Sequence, residues 1–141
     1  MRVIAGRAKG IPLQAVPGSG TRPISDRVKE SLFNILGEEV EGARVLDLFA
    51  GTGSVGIEAL SRGAAAATFV DSSRDAARCI QSNLAKTKLA GTVRCGDAFR
   101  FLESCGECLF DLIFADPPYA KYPGDRDFAG DLLRDAATAR A

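Results

Sequence analysis

LDLFAGTGSVGIEAL, residues 46–60, governs how the rest of this chain is read. Gly51, Gly53 and Gly56 fit G-x-G-x-x-G, the glycine spacing of loops that carry the pyrophosphate of a dinucleotide. The stretch predicts a strand (44–49), a glycine turn and a helix (53–62). That unit puts backbone N–H groups and a helix N-terminus at the carboxyl end of the strand, where ligands of such sheets sit. One residue disagrees with a phosphate. Asp47 precedes the loop, and a carboxylate there repels a pyrophosphate and favours a cation.

Outward from this unit, strands and helices alternate. Residues 67–71 predict a strand and 75–86 a helix with Ala76, Ile80, Asn83 and Leu84 near one face. A short strand (92–95), a short helix (98–104), an apolar strand (109–115) and a closing helix (127–139) follow. Such alternation predicts an α/β fold, a doubly wound, mainly parallel sheet with right-handed crossovers. Ahead of it, runs at 3–5 and 11–16 flank GRAKG and predict an N-terminal β-hairpin. PGSGTRP (17–23) is a turn-rich linker. SDRVKESLFNILG then predicts a helix with Ser25 as N-cap, Val28, Leu32, Ile35 and Leu36 as its apolar stripe, and Gly37 as its stop.

The chain has 141 residues, 46% apolar and 26% charged, enough for one domain with a real core. No apolar run approaches the roughly 20 residues that span a bilayer, and the first residues lack a signal peptide's apolar stretch, so a cytoplasmic location is expected. Net charge is zero but uneven. Up to Leu36, six bases (Arg2, Arg7, Lys9, Arg22, Arg27, Lys29) face two acids (Asp26, Glu30), a local charge of +4. Such a front end suits either a polyanion such as nucleic acid or plain solvent. Four cysteines (Cys79, Cys95, Cys105, Cys108) are too scattered for a disulfide framework, and with no histidine the Cys105–Cys108 pair makes a poor zinc site. No metal is expected.

Carboxylates end three successive strands. Asp71 lies 20 residues after Gly51, the spacing for an acid that accepts both ribose hydroxyls of an adenosine. NAD and S-adenosylmethionine share that ribose. Asp47 favours the second, whose methionine end carries an ammonium and a sulfonium. Asp97 is placed to accept an adenine amino group. The candidate cofactor contacts are Asp47, Phe49, Gly51, Thr52, Gly53, Asp71, Ser72, Asp97 and Ala98.

The fourth strand runs into Asp116-Pro117-Pro118-Tyr119. Two prolines remove two N–H donors, leaving a corner rich in acceptors beside a ring able to stack on a base. Such a corner suits an exocyclic amino group on a nucleobase. Accepting its hydrogens through Asp116 and the Pro117 carbonyl turns the nitrogen lone pair towards a methyl donor, with catalysis by positioning and electrostatics. Asp116, Pro117 and Tyr119 are the candidate catalytic residues. Attack on cytosine C5 would need a cysteine in this loop, and none is there.

MRVIAGRAKGIPL, GTRPISDRVKESLFNIL, VLDLFAGTGSVGIEALSRGA and DLIFADPPY, in this order, resemble the RsmD family over residues 1–122. These are bacterial class I S-adenosylmethionine-dependent methyltransferases with a Rossmann-like fold that modify guanine N2 of 16S ribosomal RNA. The resemblance implies guanine-966 as the target, on the small subunit or an assembly intermediate; a monomer with no membrane partner is expected. It also implies that the basic hairpin and TRPISDR face RNA and cofactor, with Arg2, Arg7, Lys9, Arg22 and Arg27 on RNA. The expected division is therefore a basic hairpin and linker over 1–23 and an S-adenosylmethionine-binding methyltransferase domain over 24–141. Two positions depart from the family: Ile24 replaces a usual Thr, and Asp71 a frequent Glu, which shortens the carboxylate's reach. The family's sheet has seven strands in the order 3-2-1-4-5-7-6. Strands five to seven are missing here, so a partial protein with an exposed apolar fourth strand is expected. An adenine-N6 methyltransferase shares the proline-rich motif, and a non-catalytic RNA-binding assembly factor would keep the fold. Both readings stay open.

Overall fold

The computed structural model describes residues 1–18, 24–105 and 109–117. Arg22, Cys108, Pro118, Tyr119, most of the linker and the expected helix at 127–139 lie outside the described residues. The elements are α1 (Asp26–Leu36), a 3-10 turn (Gly37–Val40), β1 (Arg44–Leu48), α2 (Ser54–Ser61), β2 (Ala66–Asp71), α3 (Arg74–Thr87), β3 (Thr92–Cys95), α4 (Ala98–Ser104) and β4 (Leu112–Ala115). The four strands are parallel, in the order β3-β2-β1-β4. This is the expected doubly wound arrangement.

Strand alternation sorts the core into two layers. Val45 of β1 and Ala67 and Phe69 of β2 face α1, α2 and α3, packing with Phe33, Ile57, Ile80 and Leu84. Leu46, Leu48 and Val70 face the other way, onto Ala98, Phe99 and Leu102 of α4. The reversal of side at α4 follows from right-handed crossovers: β2 and β3 extend the sheet one way from β1, and β4 extends it the other. β4 is the edge of the described sheet, with Ile113 43% exposed. It is shorter than the expected strand, beginning at Leu112, and Asp111 just before it bonds the first residue of β1. Its N–H donates to the Arg44 carbonyl, and its carboxylate accepts from the Arg44 backbone and guanidinium at 2.8–3.2 Å, fixing the β1–β4 register. The guanidinium holds the Asp111 carboxyl below its usual range.

The first helix inverts part of its expected stripe. Ser25 does cap it, accepting from Val28 N–H at 3.2 Å. Yet Val28 is 56% and Ile35 83% exposed, whereas Lys29 and Phe33 are buried. A charge at an interior position was not anticipated, and a partner explains it. Lys29 Nζ lies 3.2 Å from Glu58 Oε1 of α2, both side chains fully buried, and donates to the Arg2 carbonyl at 2.7 Å and Ser54 Oγ at 2.9 Å. One of the six front-end cations is therefore internal.

The same carboxylate limits the N-terminal hairpin. The chain reverses through Val3 N–H to the Ile11 carbonyl (3.0 Å), Gly10 N–H to the Val3 carbonyl (2.8 Å) and one antiparallel bridge, Arg2–Pro12. Regular strands over 3–5 and 11–16 do not form. Ile4 and Ala5 N–H groups donate instead to Glu58 Oε1 and Oε2, at 2.8 and 3.1 Å. Beyond them Arg7 N–H donates to the Ser61 carbonyl (2.8 Å) and Ala8 N–H to Ser61 Oγ (2.9 Å). The segment is laid along α2, with Val3, Ala8 and Leu13 in the main core.

Two substitutions test this packing. A Cβ on Gly56 would meet the buried Phe69 ring, with Cζ only 2.8 Å away, so α2 rests on β2 through a bare backbone. Gly56→Ala is expected to cost about 1–3 kcal/mol as overpacking, seen as a lower urea midpoint at unchanged m. Lys29→Met leaves Glu58 buried with Arg62, whose Nε lies 2.7 Å away, as its remaining cation. About 3–5 kcal/mol of destabilisation is expected in the same measurement.

Candidate functional site

The carboxyl edge of the sheet is built by a turn that most side chains resist. After Leu48, three residues take left-handed backbone: Phe49 (φ 55°), Gly51 (59°) and Gly53 (79°). The two glycines adopt this conformation without steric cost; Phe49 does not. It is held there by its ring, edge-on to Phe99 at 6.4 Å, and by Ala50 N–H donating to the Val70 carbonyl at 3.0 Å. Strain imposed on a non-glycine residue at a strand end points to function. Gly53 caps α2, and Thr52 Oγ1 accepts from Ser54 N–H at 3.3 Å.

Two expected cofactor residues brace this loop. Asp71, at the end of β2, accepts from Gly51 N–H through Oδ2 and from Ser73 N–H through Oδ1, both at 2.9 Å. Asp47 is buried on β1 and accepts from Gly56 N–H at 3.0 Å. Burial pushes its pKa up from 3.8 to about 8; the Gly56 bond opposes the rise, and the charges of Asp71 and Asp116 add to it. The registers Leu48–Val70 and Leu48–Ala115 set Asp71 and Asp116 on either side of the end of β1, so the three acids share one acidic rim at this edge of the sheet. Asp97 stands apart. Its Oδ1 accepts from Phe99 and Arg100 N–H groups at 2.9 and 3.0 Å, so it caps α4, with Ala98 buried behind it and Ser72 exposed across from β3. Asp116 is exposed and Pro117 half-buried.

The basic residues divide. Arg2 pairs with Asp26 at 3.3 Å, and both Arg2 and Arg27 lie near the start of α1, at the loop end of the sheet. Arg7 and Lys9 lie at the other end of α2, roughly 12 Å away for an eight-residue helix. Of the four described, Arg2 and Arg27 thus stand towards one end of α2 and Arg7 and Lys9 towards the other, while Arg22 lies outside the described residues.

Asn83 was legible only as a helix-face residue, yet it is the loop's outer support. Its Nδ2 donates to the carbonyls of Thr52 (2.9 Å) and Gln14 (3.1 Å), and its Oδ1 accepts from Gln14 N–H at 2.8 Å. Glu58 was also missed. The available signal was a lone acid inside the apolar run VGIEAL.

Comparison with known proteins decides the lineage. The family model described as Conserved hypothetical protein 95 matches residues 1–129. The chain is 49% identical over 123 residues to Bacillus subtilis (strain 168) YlbH, named as a candidate rRNA methyltransferase, covering 84% of this chain and 67% of that protein. It is 40% identical over 123 residues to the ribosomal RNA small subunit methyltransferase D of Escherichia coli (strain K12), covering 86% and 61%. The chain belongs to the RsmD family of methyltransferases. A solved structure of yhhF from Escherichia coli, titled as a candidate methyltransferase, superposes with a TM-score of 0.85 at 35% identity, covering 99% of this chain and 74% of that one. The RsmD-family chain thus spans 61–67% of the length of these two curated relatives. Among its described residues no helix is long and apolar enough to cross a membrane, and no group of three His, Cys, Asp or Glu side chains could hold a metal ion.

Asp47 gives this site a pH signature. Its folded pKa lies above its unfolded value, so its contribution to stability is full below about pH 4 and lost as pH rises towards about 8. Asp47→Asn removes that loss and keeps an acceptor for Gly56. The Tm difference, variant minus parent, should grow from pH 5 to pH 8; a flat difference would contradict a buried, shifted carboxylate.

Proposed function

We propose that this chain transfers the methyl group of S-adenosylmethionine to the exocyclic N2 amino group of a guanine in small-subunit ribosomal RNA. The observation that carries this reading is the buried Asp47 of β1, with Asp71 and Asp116 at the ends of the two neighbouring strands beside a glycine loop. An acid raised in pKa chiefly by burial is largely protonated near neutral pH, and a cation placed beside it favours its ionisation. Such a site suits a ligand bearing an ammonium and a sulfonium, and it disfavours a pyrophosphate. The likeness to the Escherichia coli ribosomal RNA small subunit methyltransferase D supports ribosomal RNA of the small subunit as the acceptor class, and the family resemblance supports guanine N2.

The residues then take distinct tasks. Gly51 and Gly53 let the backbone approach the methionine half, and Asp47, directly or through water, balances its charge. Asp71 is already fixed by Gly51 and Ser73, so its remaining lone pairs accept the ribose hydroxyls in a set geometry. Asp97, Ala98 and Ser72 border the adenine. The bound cofactor supplies an electrophilic methyl on sulfur. Asp116 and the Pro117 carbonyl accept the two amino hydrogens, holding the nitrogen lone pair in line. As the nitrogen–carbon bond forms, the methyl's bond to sulfur would break to leave a neutral thioether, and one proton would leave to Asp116 or to water. Tyr119 is assigned to stacking on the base.

Incubation with methyl-labelled S-adenosylmethionine and free rRNA, small subunits or DNA, followed by nucleoside digestion, should yield N2-methylguanosine from the small-subunit rRNA. Label in N6-methyladenine, or none in any nucleic acid, would overturn the reading. Asp116→Ala should lower kcat by about 100-fold or more with cofactor affinity nearly unchanged. A parent-like rate would remove Asp116 from the chemistry.

A further inference from the structure

A groove that adjoins the candidate cofactor site at Asp97 opens behind β3. β3 is the outer strand, and its Val93 packs into the α3 layer. On the opposite face α4 covers β1 and β2, through Leu46, Leu48 and Val70, and leaves a trough beside β3 of about 330 Å³. Its floor includes Cys95 and Gly96. Arg94 enters it from the strand and Arg100 from α4, with Phe101 as an apolar wall. Both arginines are exposed, and neither pairs with an acid among the described residues. The volume is at the lower end of ligand pockets.

The charge of the groove selects its ligand. Two guanidiniums stand against one carboxylate, Asp97, whose Oδ1 already takes two α4 N–H groups. S-adenosylmethionine carries net positive charge and suits the acidic rim, none of whose Asp47, Asp71 or Asp116 lines this groove. An anion suits two guanidiniums, which grip phosphate oxygens bidentately. Asp97 borders both sites, so an anion here lies next to the cofactor's adenine end. A target base reaches a pocket either flipped out of a duplex or from a strand that is already single, and the second leaves the flanking phosphates open to a groove. Positive grooves with an aromatic wall are the common way to hold such a strand.

We infer that the groove between β3 and α4 binds the phosphate backbone of single-stranded RNA flanking the target nucleotide, with Arg94 and Arg100 as its phosphate contacts. The inference rests on the methyltransferase reading for the identity of the RNA. The full chain carrying Arg94→Ala and Arg100→Ala should raise KM for rRNA about tenfold, leave kcat and cofactor dissociation within twofold, and flatten the log–log salt slope of RNA binding by about 1.4. Arg94→Lys with Arg100→Lys should recover that slope. Anisotropy of a fluorescein-labelled single-stranded RNA oligonucleotide, without cofactor, separates this inference from the proposed reaction. If the parent labels no rRNA but loses oligonucleotide affinity on the double alanine change, the reaction falls and the groove stands. Unchanged RNA affinity and salt slope overturn the groove assignment, as does an equal loss of cofactor affinity.

Discussion

One buried carboxylate ties together three parts of the chain that are distant in sequence. Glu58 accepts from the backbone of Ile4 and Ala5, lies within ion-pair distance of Lys29 of α1, and accepts from Arg62 one turn along its own helix. Ion pairs of this kind seldom add stability over a well-packed apolar set, because desolvation offsets much of the attraction. Their effect is on specificity. With both charges sealed from water, only one placement of the N-terminal segment and of α1 satisfies them, and that placement presses both against the helix that carries the glycine loop. Lys29 reaches Ser54, the first residue after the turn, so the anchor touches the edge of the candidate site.

The alternation of strands and helices was legible because β1, β2 and the helices have clean periods and recognisable ends. Ser25 and Asp97 each cap a helix. Gly37 closes α1, although a 3-10 turn follows at once. Periodicity failed where a polar residue is buried with a partner. Lys29 and Phe33 form the inner face of α1, and a stripe drawn from Val28 and Ile35 instead lies more than about a third of a turn away. Nothing local to SDRVKESLF announces that its lysine has a glutamate waiting 29 residues later. The N-terminal excursion failed for a related reason: its backbone donors bond to side chains of α2 rather than to an opposing strand, which no pattern of β-branched residues can reveal.

For the candidate site, the strand-end acids and the glycines were readable as a set, since a strand–turn–helix unit fixes where they must lie. Their differences were not. Asp47, Asp71 and Asp97 look alike in sequence, yet one is buried and raised in pKa, one is pinned by two loop donors, and one is spent largely on capping α4. The split of the basic residues between the two ends of α2 was likewise invisible to a charge count.

The acidic rim also bears on how much of this protein is folded at a given moment. Carboxylates that repel one another, one of them out of reach of water, are a standing penalty on the ligand-free form. A cation that settles among them relieves that penalty only in the native state, so native molecules are replenished by mass action as ligand concentration rises. For such a site the free energy of unfolding and the concentration of a bound cation are coupled, so the same carboxylates that would hold a ligand would also tie folding to its supply.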